Sequence, residues 1–231
     1  MFRFLTKRQP QLTEEMDRED CNQVLLNNTY RQFSVINRLL SQWKKVYKKE
    51  LRPLMQEEKA YSLLDIGFGG GDVTVKLSEW AEQDGINLKI TAIDIDRRAL
   101  DYVQAEYPAK QIYWKYASST DLVSEHKKFD FVISNHVLHH LHDNQVPLLL
   151  NEAKQLASRK VIFNDIERSS IGYVLFNLFS RLIFNNSFIT KDGLTSIKRS
   201  FTFKELLAVS PSSWKVKSMF PFRLLLIHDK S

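Results

Sequence analysis

Cys21 is the only cysteine in this chain. That excludes an internal disulfide and any metal site built on several thiolates, and it fits a reducing, cytoplasmic compartment. Long apolar runs are also missing. The opening stretch, MFRFLTKRQPQLTEEMDRED, turns acidic before an apolar run can form, so it does not read as a signal peptide. The closest approach to a membrane span is IGYVLFNLFSRLIF, interrupted by Asn177, Ser180 and Arg181. It falls short of the roughly 20 apolar residues a bilayer requires. Internal repeats and low-complexity linkers are absent too.

What is present suits one domain with a sizeable core and an added helical piece: 231 residues, 43% hydrophobic and 26% charged. The formal charge of +6 owes much to local groups such as Lys44, Lys45, Lys48 and Lys49. Such runs read as solvated helix faces, and nucleic acid is not the expected partner.

Residues 13–50 have helical periodicity, with Leu25, Leu26, Tyr30, Phe33, Ile36, Leu39, Leu40 and Trp43 at the apolar positions, until Pro53 ends or kinks the run. Beyond it, strand-like runs (SLLDIG, LKITAID, QIYWKY, FDFVIS, KVIFND) alternate with helical stretches starting near Asp72, Arg97 and Asn144. Alternation of this kind predicts crossover units on a parallel sheet covered on both faces. After Asp165 come an apolar helix, a loop around TKDGLTSIKRS, a helix capped by Thr202, and two terminal strands, WKVKSMF and FRLLLIH. The expected fold is therefore α/β, with a Rossmann-like, seven-stranded, mostly parallel sheet ending in an antiparallel C-terminal strand pair. A helical cap over 1–55 precedes a domain over 56–231, which carries an apolar helical insertion around 169–200.

LLDIGFGGGDV, Leu63 to Val73, drops a strand into glycines and then a helix. A dinucleotide fingerprint would place glycine at its first, third and sixth positions; here Gly67 and Gly69 fill two, and the sixth is Asp72. Gly70 and Gly71 fall where backbone would press on a flat or bulky ligand. No Lys-Ser/Thr follows, which excludes a P-loop. Asp65 at the strand end favours a cationic ligand group over a diphosphate. Asp94, ending the second strand, can accept from both ribose hydroxyls. Together they predict an adenosyl ligand other than NAD.

LLDIGFGGGDV, AIDID, FDFVISNHVLHHL and KVIFNDIERSS, in this order and spacing over about residues 60–165, resemble the successive motifs of class I S-adenosylmethionine-dependent methyltransferases. The resemblance implies S-adenosylmethionine as cofactor. Asp65, Gly67, Phe68, Gly69 and Gly71 would shape its methionine end, Asp94 would bind the ribose, and Ile95 would pack on the adenine. Many members place an acid against the adenine amino group; here Ala117 and Ser118 occupy that region, with Ser119 or Asp121 as further options.

Asn135 and His136 leave the fourth strand towards the methyl donor. Methyl transfer asks chiefly for alignment, and a base matters only for an acceptor that must lose a proton. His136 is the leading base candidate. His140 and Arg168 complete the candidate catalytic set, although His139 and His140 also fit as core histidines. No acid cluster is seen converging on these histidines, and no metal is expected.

The absence of NPPY or DPPY at the fourth strand, read SNHV here, argues against methylation of nucleobases or protein amino groups. EEMDRED, YRQFSVIN, DIERSSIGY and DGLTSIKRSFT resemble a bacterial small-molecule subgroup found with polyketide or other aromatic-product pathways. That would place Arg168, Tyr173, Asp192 and Arg199 around the acceptor. The expected activity is methylation of a small hydrophobic acceptor, at a hydroxyl of an aromatic, polyketide or quinone-like compound, with methylation at ring carbon, or of RNA or protein, as alternatives and a non-catalytic adenosyl-binding domain as the last of them. Peripheral membrane contact stays open.

Overall fold

The computed structural model describes residues 4–230; the expected cap therefore begins, and the expected main domain ends, outside the described residues. Seven strands form one sheet: β1 (Ala60–Ile66), β2 (Asn87–Asp94), β3 (Ile112–Tyr116), β4 (Phe129–Asn135), β5 (Ala157–Ile166), β6 (Lys215–Met219) and β7 (Arg223–Asp229). Their order is β3-β2-β1-β4-β5-β7-β6. The first five are parallel, and β7 runs antiparallel to both β5 and β6, as expected from the sequence.

The central strands are apolar along their length because both sheet faces are covered. Leu63, Phe131, Ile133 and Ile162 point to one side, into a core with Leu26, Tyr30, Tyr47, Leu77 and Val103. Leu64, Val132, Val161 and Phe163 point to the other, against Leu150, Leu156, Leu206 and Trp214. The edge strand β6 instead exposes Lys215 and Lys217, which discourages pairing with another chain.

The N-terminal region is less continuous than its periodicity predicts. A short turn at Glu15–Asp17 precedes α1 (Gln23–Ile36), capped by Asn22, whose side chain accepts from the Val24 and Leu25 N–H groups. Wider turns at Asn37–Ser41 end at left-handed Gln42 and lead into α2 (Trp43–Val46). Along the sheet follow α3 (Asp72–Gln83), α4 (Arg97–Glu106), α5 (Ser119–Ser124) and α6 (Val146–Leu156). After β5 come α7 (Ser170–Ile183), α8 (Ile189–Arg199) and α9 (Phe203–Val209), the last held by a reciprocal Thr202–Glu205 capping box.

Helix α8 replaces the loop expected at TKDGLTSIKRS. Gly193 gave the loop signal, but it serves packing: a Cβ there would run into the Phe176 ring on α7. A second correction concerns the glycine turn. A Cβ on Gly70 would meet the Tyr30 carbonyl oxygen at 2.8 Å, and one on Gly71 would meet Val103 at 2.8 Å and Trp114 at 2.9 Å. Both glycines press against protein, which removes Gly71 from the cofactor contacts. Gly71 also has φ of 75°, the left-handed region that costs other residues about 1–2 kcal/mol. With the overpacking term, Gly71→Ala should destabilise the fold by about 2–4 kcal/mol in denaturant unfolding. Cofactor affinity of the folded fraction should stay near wild type by calorimetry; a selective loss of affinity would return Gly71 to the ligand.

Candidate active site

Strand order reverses between β1 and β4, and in open α/β sheets the crevice at such a switch point takes the ligand. A cavity of about 1160 Å³ lies there, walled by the glycine turn, the β2 and β4 ends, α1, α7 and α8. Asp65, Gly67, Phe68, Gly69, Asp94, Ile95, Ala117, Ser118, Asn135, His136 and His140 all line it; Gly71 and Arg168 do not.

At one end, Asp65 is buried, and its Oδ2 accepts from Thr74. Among the described residues its Oδ1 has no hydrogen-bond partner. Burial pushes this carboxyl up to about 7, with Asp94 and Asp72 adding to the rise. Asp94 accepts from the Gly69 N–H at 2.8 Å and the Asp96 N–H at 2.9 Å, which fixes the turn against β2. Each of its oxygens keeps a second lone pair for a ligand hydroxyl. Ile95, beside it, is 74% exposed. Ser118 caps α5 in a box with Asp121, so that acid is committed to the helix, while the Ser119 hydroxyl donates to Glu152.

Helix α1 brings residues that the motifs did not announce. Asn37 Nδ2 donates to both oxygens of Asp72 at 3.1 Å, and Asn37 Oδ1 accepts from Asn135. Asn135 Oδ1 in turn accepts from Trp43 and Arg223. Asn135 thus holds the turn after α1, and Trp43 of α2, to β4 as well as lining the cavity.

The histidines divide by partner. His136 adopts a φ of 62°. Arg223 Nη1 lies 2.8 Å from His136 Nε2, and since a guanidinium only donates, Nε2 must accept. Burial and the Arg223 charge push His136 well below its ordinary value. Its lone pair is engaged and its protonated form is opposed, so it is poorly placed to act as a base. His139 sits between acids instead: its Nδ1 is 2.7 Å from Asp165 Oδ1 and its Nε2 is 3.5 Å from Glu14 Oε1. Burial opposes the charge, but Asp165 and Glu14 outweigh it and raise His139 to about 9. Against the same burial, the neighbouring histidines hold Glu14 down to about 2. His140 is half-exposed, with Nδ1 3.2 Å from Asp17 Oδ2.

Acids therefore do converge on the histidine run, from the N-terminal segment and from β5, contrary to expectation. Glu14, His139 and His140 each offer one ligand atom within 4.8 Å of the others and could hold a metal ion. An imidazolium at His139 balances the two carboxylates beside it without one.

Arg168 is buried outside the cavity. It donates to the Ser200 carbonyl at 2.8 Å and to Glu205 at 2.6 Å, locking β5 to α8 and α9. Asp192 does reach the cavity, but its carboxylate accepts from the Glu15 and Met16 N–H groups. Arg199 donates to the His139 and His140 carbonyls, and Tyr173 packs edge-on against Phe4. Of the four residues expected around the acceptor, only Asp192 lines the cavity.

A family described as a methyltransferase domain matches residues 63–160. That stretch is a methyltransferase domain. The enzyme class and the cofactor expected from the sequence agree with it. Among solved structures, the plantazolicin methyltransferase BpumL in complex with SAH is similar, at 14% identity and TM-score 0.66, over 94% of this chain and 93% of that one. An S-adenosylmethionine-dependent methyltransferase from Aquifex aeolicus follows at 14% identity and TM-score 0.54, over 87% and 96%. These likenesses show that the methyltransferase fold extends beyond the matched stretch. No curated protein matches the sequence.

His139 gives the site a pH signature. Its folded value near 9 exceeds the ordinary 6.5, so its ion pairs stabilise fully below 6.5 and are lost as pH rises through 9. Asp72 and Asp192, raised to about 6, act mostly below that window, and Asp65, raised to about 7, adds a little to the fall at its lower edge. Unfolding free energy should fall by about 2 kcal/mol between pH 7 and 9. In His139→Gln the overall stability should be lower and most of this slope absent; an unchanged slope would assign it elsewhere.

Proposed function

We propose that this methyltransferase moves the methyl group of S-adenosylmethionine to a hydroxyl oxygen on a small hydrophobic acceptor, an aromatic, polyketide or quinone-like compound. One observation carries the proposal: Asp65, whose Oδ1 has no partner among the described residues, the ribose-competent Asp94 and the Asp17–His140 pair line a single cavity whose remaining wall is largely aliphatic and aromatic. The fit to the cofactor rests on Asp65, a buried acid at the glycine-turn end of the cavity whose Oδ1 has no partner among the described residues. BpumL, similar in fold, was crystallised with SAH, the demethylated form of that cofactor.

When bound, S-adenosylmethionine supplies an electrophilic methyl group on a sulfonium. The protein's part is placement. Asp65 would hold the cationic amino-acid end, with Gly67, Phe68 and Gly69 shaping the turn around it. Asp94 would accept from the ribose hydroxyls, Ile95 would cover one adenine face, and Ala117 and Ser118 would edge the base. At the far end, Phe176, Phe179, Ile183 and Ile197 would enclose the acceptor and exclude water.

A phenolic acceptor must lose its proton. Asp17 would fix the His140 Nδ1–H, which leaves Nε2 as the proton-accepting atom. His136, held by Arg223, would serve as a fixed wall. The N-terminal segment over 1–55 and the insertion at 169–200 would act as the acceptor's cap on the domain of 56–231. Methylation at a ring carbon uses the same residues and differs only in the acceptor atom.

Incubation with labelled S-adenosylmethionine and a panel of alkylated hydroxyaromatics should give a methyl ether by mass and NMR. A C-methyl product would move the acceptor atom, and methyl transfer to RNA or protein alone would overturn the acceptor class. His140→Asn should lower kcat about 10²–10⁴-fold with SAH affinity retained. An unchanged kcat would remove the base. Because a ligand cation favours ionised Asp65, SAH affinity should rise towards tenfold between pH 6 and 8. In Asp65→Asn it should be weaker and flat. A flat wild-type profile would separate Asp65 from the ligand's charge.

A further inference from the structure

The cavity's rim is apolar and open. Leu39, Leu175, Phe179, Ile183 and Phe220 each line the cavity and are also exposed, Phe220 by 81%. The rim continues along α7. Ile171, Val174, Leu178 and Leu182 recur with Leu175, Phe179 and Ile183 at helical spacing, which makes one stripe, and every member faces solvent. The opposite side of the helix is the packed one, where Gly172 meets Phe222 and Phe176 meets Gly193 of α8. A helix of this kind, turned apolar side out on a water-facing surface, calls for a partner.

Charge says which. Between Gln23 and Lys49 there are six basic residues and no acid, and between Ser170 and Thr190 there is Arg181 and no acid. These two segments hold 7 of the 33 basic residues, leaving 26 against all 27 acids. The elements that wall the mouth, α1 with the turn after it and α7, thus carry Arg31, Arg38 and Arg181 and no acid, while Lys44, Lys45, Lys48 and Lys49 follow outside the cavity lining. Arg38 adjoins Leu39, Arg181 adjoins Leu182, and both arginines are exposed. A second copy of the chain would bring the same positive field against itself. An anionic bilayer offers acyl chains to the stripe and phosphates to the arginines.

We propose that this face docks on an anionic phospholipid surface, with α7 lying along the interface and the cavity rim opening towards the acyl chains. If the acceptor is as read above, a tailed hydroxyaromatic would then reach His140 from the bilayer without crossing water; this last step alone rests on the proposed function.

Flotation of the purified full chain tests the docking without any acceptor. Wild type should rise with vesicles of phosphatidylcholine containing about 30% phosphatidylglycerol, poorly with phosphatidylcholine alone, and less at about 0.5 M salt. L178D/L182D, outside the cavity, should lower the partition coefficient at least about tenfold while leaving SAH binding unchanged. R38E/R181E should weaken it and flatten the salt dependence, which keeps a test in hand if the first pair fails to fold. Wild type remaining unbound to both vesicles, or both variant pairs floating like wild type, would overturn the proposal. So would a wild-type dimer in sedimentation that L178D/L182D dissolves with no flotation of either, since the face would then belong to a second copy. Methyl transfer to a soluble acceptor without flotation would sink the docking alone, and flotation without methyl transfer would sink the acceptor reading alone.

Discussion

His139 holds three distant parts of the chain at one point. Its ring nitrogens face Asp165 at the end of β5 and Glu14 in the N-terminal segment, and its carbonyl accepts from Arg199 of α8. All are buried. Two carboxylates closing on each other in that environment would repel by several kcal/mol; the imidazolium between them reverses the sign. The 138–140 turn and the Glu14–Asp17 segment take their position from this arrangement, the one presenting His140 and the other presenting Asp17 to it.

The cofactor side is built differently, from backbone. The glycine turn is clamped by Asp94 from β2 and backed by Tyr30 of α1, and at Gly70 and Gly71 protein atoms leave no space for a side chain. One half of the cavity is thus set by close packing and the other by buried charge. Stability and proton chemistry are coupled at both ends, through the His139 ion pairs at one and through the buried carboxyls of Asp65 and Asp72 at the other.

Sheet order and the glycine turn were legible because each depends on short-range pattern: apolar runs alternating with amphipathic helices, and a strand-to-helix junction. The misreadings share a physical origin. Gly193 looked like a loop because helix interiors disfavour glycine, yet Phe176 from another helix needed the space. His136 looked like a base because nothing local showed Arg223, 87 residues away, donating to it. Arg168 looked like a pocket residue by position, while its partners, Ser200 and Glu205, come from segments whose packing no motif specifies. Glu14 and Asp17 lie in EEMDRED, an acidic stretch that no local spacing ties to histidines more than a hundred residues away.

The central claim is that the β1 turn and the β2 acid hold an adenosyl cofactor bearing a methionine end. Calorimetric titration of the wild-type chain and Asp94→Asn with S-adenosylhomocysteine, with NAD in parallel, tests it most directly. Binding of S-adenosylhomocysteine but not NAD, weakened about tenfold or more in the variant, is the predicted result. NAD binding with no S-adenosylhomocysteine binding would contradict it.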